Sequence, residues 1–119
     1  MTALLPAQAA MAKKGGGGPN APAGTLTLNQ SNPYLGEWVT FTYSAPRNSP
    51  RIRLICYQNG AMVFAADQDA STAFLLGGAG STWTANGGSA DCQADLYSNT
   101  NGSNFTVYAS LLFTAAGAQ

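Results

Sequence analysis

The chain has 119 residues and no net charge, with 45 % apolar residues, only 8 % charged residues and no histidine. That length suits one domain, and the missing histidine excludes a Ser-His-Asp or Cys-His catalytic site and any His-ligated zinc or haem. A nucleic-acid partner calls for a basic surplus that is absent here, and no apolar run reaches the ~18 residues of a membrane span. A neutral, sparsely charged surface suits a protein docked in an assembly better than a free monomer.

Residues 1–23 read as an extended, flexible N-terminal arm of low complexity. Gly15–Gly18 form a flexible joint, and Pro19 and Pro22 stiffen the stretch after it. Lys13 and Lys14 come after the mildly apolar stretch, the reverse of a secretory signal, so an unprocessed chain is expected. Leu4, Leu5 and Met11 are candidate anchors for apolar pockets on a partner, with Lys13 and Lys14 meeting acidic groups there. The plainer alternative is a disordered tail with no role.

From residue 24 to 119 the apolar pattern has period two. Strands are predicted over 25–29, 37–44, 51–58, 61–66, 72–76, 81–85, 89–97 and 105–113, and no helix is predicted. Val39, Phe41 and Tyr43 share one face of the second strand, and Trp38, Thr40 and Thr42 the other. Ile52, Leu54 and Cys56 face inward on the third, as do Ala90, Cys92, Ala94 and Leu96 later. Asn59-Gly60 signals a type I′ hairpin turn. Phe105, Val107, Ala109, Leu111 and Phe113 are predicted to share a face of the last strand.

Short strands with turn signals every 8–12 residues point to an all-β fold, an antiparallel β-sandwich of about seven strands. Their order resembles an immunoglobulin-like (Ig-like) domain over residues 25–114. That resemblance makes the strands over 51–58 and 89–97 neighbours, with Arg51 and Arg53 facing Asp91 and Asp95. It departs from true immunoglobulin domains at the cysteines. The family bridge joins the strands that correspond here to 37–44 and 89–97, but the strand over 37–44 carries no cysteine. Cys56 and Cys92 either meet as a cross-strand bridge or stay as two buried thiols, and the missing export signal favours the reduced form.

A search for chemistry yields little, and no enzyme, cofactor or metal is expected. Asp67-Gln68-Asp69 is read as a solvated acidic turn, with too few oxygens nearby for calcium. Asp91 and Asp95 lie ~13 Å apart along one strand, too far for a glycosidase pair. Trp38, Trp83 and Tyr57 are candidate surface or glycan contacts, the alternative being that a tryptophan packs under a sheet edge. Tyr97 is a candidate for tying down a loop.

An apolar-basic arm, a glycine hinge and one small sandwich together resemble small Ig-like accessory virion proteins of tailed bacteriophages. That resemblance implies a structural role in the virion and assembly from the host cytoplasm. It implies capsid decoration through the arm first, and tail association second. The expected partners are phage capsid or tail proteins, with self-association on a symmetric lattice, weak contacts summed over many copies, and a host-surface glycan as an added ligand. A secreted carbohydrate- or adhesion-binding Ig-like module is the rival, and it predicts an oxidised Cys56–Cys92 pair.

Overall fold

The computed structural model describes residues 24–100 and 104–119; the predicted arm over residues 1–23 lies outside them. The described residues form antiparallel β-sheets and one short helix. In chain order the elements are β1 (Thr25–Leu28), β2 (Trp38–Val39), β3 (Phe41–Ser44), β4 (Arg51–Gln58), β5 (Ala61–Asp69), β6 (Phe74–Leu75), α1 (Thr82–Asn86), β7 (Ala90–Thr100) and β8 (Asn104–Ala115). A four-stranded sheet runs β5-β4-β7-β8, and two smaller sheets pair β1 with β3 and β2 with β6.

One hydrophobic cluster joins the three sheets. Leu26, Val39, Phe41 and Phe74 come from the small sheets. Ile52, Leu54, Cys56, Cys92, Ala94, Leu96 and Phe113 come from the inner face of the large one. Phe41 and Phe74 meet edge to face at 5.5 Å, an arrangement favoured by the ring quadrupoles. These inward positions are the ones that period-two alternation selects. Asn59 and Gly60 both have positive φ, 53° and 83°, as a type I′ turn requires.

The predicted strand over 37–44 is broken at Thr40. Its alternation survives, but its pairing switches from β6 to β1. The side chains of Asn29 and Gln30 reach the break: Asn29 Nδ2 donates to Thr40 Oγ1 at 2.9 Å, and Thr40 N donates to Gln30 Oε1 at 3.0 Å.

The segment over 81–85 is a helix, not a strand. Ser81 caps its start by accepting from Thr84 N, and Gly87, at φ 68°, closes its end through a bond to Trp83 O. Trp83 is the one buried residue of this single turn, and Ala85, which would share its face in a strand, is exposed. Trp83 is fully buried, and its Nε1 donates to Gly88 O at 2.8 Å.

A bulge in β8 splits another predicted face. Leu96 pairs with Ala109, but Tyr97 pairs with Val107, which leaves Tyr108 as the extra residue. Tyr108 turns into the core, while Phe105 and Val107 turn outward, 45 % and 38 % exposed. They therefore do not share the inner face of Phe113.

Cys56 and Cys92 are disulfide-bonded, which corrects the expected reduced form. The register sets them directly opposite each other on neighbouring strands, with Cα atoms 4.0 Å apart.

Candidate interaction surface

The outer face of the four-stranded sheet carries the main polar constellation. Cross-strand pairing sets its side chains in rows, since directly opposed residues point to the same side. The first row reads Asp69, Arg51, Tyr97, Val107, and the second reads Asp67, Arg53, Asp95, Ser110. The third is Ala65, Ile55, Gln93, Leu112, and the fourth is Met62, Tyr57, Asp91, Thr114.

Asp67 is the hub of the first two rows. Its Oδ1 accepts from Arg51 Nε at 2.9 Å, and its Oδ2 lies 3.6 Å from Arg53 Nε. The Tyr97 hydroxyl donates to the same Oδ2 at 2.5 Å. The Arg53 guanidinium lies over two rings, 5.2 Å from the centre of Tyr97 and 4.8 Å from that of Phe105. Tyr97 points outward yet is only 4 % exposed, because Arg53 and Phe105 cover it.

The expected ladder from Arg51 and Arg53 to Asp91 and Asp95 is thus corrected. Arg53 does stand opposite Asp95 in register. Both guanidiniums turn the other way, to Asp67 on β5, where Tyr97 adds a third donor. Asp95 instead accepts from Gln93 and Ser110, and Asp91 from Thr114. The Asp67-Gln68-Asp69 stretch, read from the sequence as a loop, is the end of β5. Its alternation puts both carboxylates on the outer face, while Gln68 stands opposite the inward Ile52.

The electrostatics follow from these contacts. Partial burial opposes the ionisation of Asp67. Hydrogen bonds from Tyr97 and Arg51 and the charges of both arginines outweigh it, so the carboxyl titrates below the ordinary aspartate range. The Ser71 backbone N–H, then its hydroxyl, bind the Asp69 carboxylate and lower its pKa as well. The hydrogen bond to Asp67 raises that of Arg51.

The three candidate contact aromatics do not form one platform. Trp83 is in the core and out of reach of a surface ligand. Trp38 is 61 % exposed on β2, and Tyr57 is 36 % exposed on β4, in a different sheet. Tyr97 ties down strand β5 through Asp67 rather than a loop. A groove beside Tyr57 and Met62 runs toward α1. Two of its amides already serve each other, with Asn86 Nδ2 donating to Gln58 Oε1 and Gln58 Nε2 donating to Gly87 O and Ser89 O. The proposed arm contacts Leu4, Leu5, Met11, Lys13 and Lys14 lie outside the described residues.

Sequence reading missed Asp67, Phe105 and Val107 as members of this face. The alternation of Asp67 and Asp69 continues that of the strand before them, and that was the available signal. The bulge at Tyr108 left none. No family profile, no curated protein and no solved structure matches this chain.

Proposed function

We propose that the chain is a structural virion protein: a capsid decoration protein that docks on a phage head through its N-terminal arm and displays an Ig-like sandwich. The observation that carries the reading is the strand order. A β5-β4-β7-β8 sheet shares one core with the β1-β3 and β2-β6 pairs, an arrangement that supports the Ig-like reading. A parallel bridge between Tyr34 and Ala116 ties the segment after β1 to the end of β8. The low charge content fits a module that works at high local density on a lattice. Fold alone does not define function, so the docking role rests on this architecture together with the apolar-basic arm.

Many weak copies on a symmetric shell suffice for stable decoration, because each added contact acts at high effective concentration. The test is co-sedimentation with heads purified from a phage whose genome encodes the chain, after deletion of its gene. The full chain is expected to pellet with the heads and residues 24–119 to stay in solution. Equal pelleting of both, or of neither, overturns docking through the arm.

The disulfide also fits a second reading, a secreted carbohydrate- or adhesion-binding Ig-like module. Disulfides persist in oxidising surroundings, which include both secreted proteins and virion surfaces. Fractionation of the producing culture separates the two readings. Recovery of the chain from the medium free of particles, with saturable glycan-array binding that is lost in Trp38→Ala or Tyr57→Ala, supports the secreted module, and recovery only on particles overturns it.

A further inference from the structure

We propose that the outer face of the four-stranded sheet is the dock for the N-terminal segment of the same molecule. Lys13 and Lys14 meet Asp91 and Asp95, and the apolar residues of the segment lie along the row of Ile55 and Leu112. This goes beyond the virion reading, because it concerns the free molecule.

Charge complementarity is the first argument. The face holds four of the five acidic residues of the chain, Asp67, Asp69, Asp91 and Asp95, against two arginines, which leaves it at −2. Both arginines lie within 4 Å of Asp67. Among the described residues, no basic side chain lies within ion-pair distance of Asp91 or Asp95. The segment that precedes Gly24 carries two lysines and no acidic residue.

Apolar complementarity is the second. Tyr57, Met62, Phe105 and Val107 are exposed on this one face, around the half-buried Ile55 and Leu112. Leu4, Leu5 and Met11 supply the matching surface, nine, eight and two residues before Lys13.

Reach and tethering decide whose segment it is. Gly24 N donates to Tyr108 O, so the described chain begins at the edge of this very sheet. Asp95 stands opposite Ser110, two residues along β8 from Tyr108. Asp91 lies ~13 Å further along β7 by strand rise. Gly24 is ten chain steps from Lys14, a span of up to about 35 Å. The segment therefore reaches both aspartates of its own molecule. A short tether gives an effective concentration on the order of millimolar, above that of a second copy at micromolar protein.

Docking on the molecule's own sheet shields the anchor residues until a lattice site displaces them. The test is zero-length carbodiimide cross-linking of the full-length chain, mixed with an equal amount of ¹⁵N-labelled chain and mapped by mass spectrometry. Amide links from Lys13 or Lys14 to Asp91 or Asp95 are expected within single chains, all light or all heavy. Their yield should fall several-fold in 1 M NaCl, where the screening length is about 3 Å, and D91N/D95N should abolish them. No link to either aspartate overturns the proposal, and so do links found only between a light and a heavy chain. The wild-type chain alone decides this if the variant fails to fold. No phage particle enters the experiment, so its failure leaves the virion reading standing.

Discussion

The Tyr97 hydroxyl, on β7, donates to the Asp67 carboxylate, on β5, across the intervening strand β4. Arg51 and Arg53 rise from β4 between them and bond or pair with the same carboxylate. One residue therefore clamps three strands on the outer face, directly over the core residues Ile52 and Leu54.

The clamp predicts an acid-sensitive sheet. The carboxyl of Asp67 titrates lower in the folded chain than in the unfolded one. Its stabilisation is therefore complete above the unfolded value of about 3.9 and is lost as pH falls through the folded value. Melting temperature should hold steady from neutral pH to about 5 and then fall below about 4. Asp67→Asn should lower stability at pH 7 by about 1 kcal/mol, since the side chain is about one-third exposed. It should also flatten the acid limb. A variant whose acid limb matches the wild type would remove Asp67 from the explanation.

The Cys56–Cys92 bridge closes a loop with a sequence separation of 36 residues. Loop-closure entropy puts its contribution at about 3–4 kcal/mol. Denaturant unfolding with and without reductant measures it directly. A clear drop in midpoint on reduction is expected, with the β4–β7 register kept. An unchanged midpoint would mean that the thiols are free in the untreated protein.

The two tryptophans should behave oppositely. Trp83→Ala removes a fully buried ring that packs against Phe64, at a cost of about 3–5 kcal/mol. Trp38→Ala, on an exposed position, should stay within about 0.5 kcal/mol. Iodide should quench the emission of Trp38 and leave that of Trp83 nearly untouched.

Gly77 sits at φ 88°, and a Cβ there would overlap Leu35 Cδ1. Gly77→Ala combines left-handed strain with overpacking and should destabilise by about 2–5 kcal/mol. Gly80, at φ 82°, has open space around it, so Gly80→Ala should cost only the backbone part. Thermal melts of the pair separate the two causes.

Most of the all-β pattern was readable because burial follows alternation, as at Ile52, Leu54 and Cys56. The misreadings arose where that rule has a competitor. At Thr40 alternation continues but the strand changes partner, which no side-chain pattern records. At Ser81–Gly87 a capped single turn stands where a strand was expected, although the serine cap and closing glycine were visible. At Tyr108 one extra residue reverses the faces of β8. Arg51 and Arg53 were rightly placed on the outer face, but the carboxylate they pair with is Asp67 on β5, shared with Tyr97 from β7, and not Asp95. That is a tertiary arrangement with no sequence signature.

The most direct measurement is a cryo-electron-microscopy difference map between phage particles made with and without the gene. Density for a module of about 12 kDa is expected at symmetry-related points on the outside of the head, present only when the gene is intact. Identical heads, with the chain recovered from the medium instead, would contradict it.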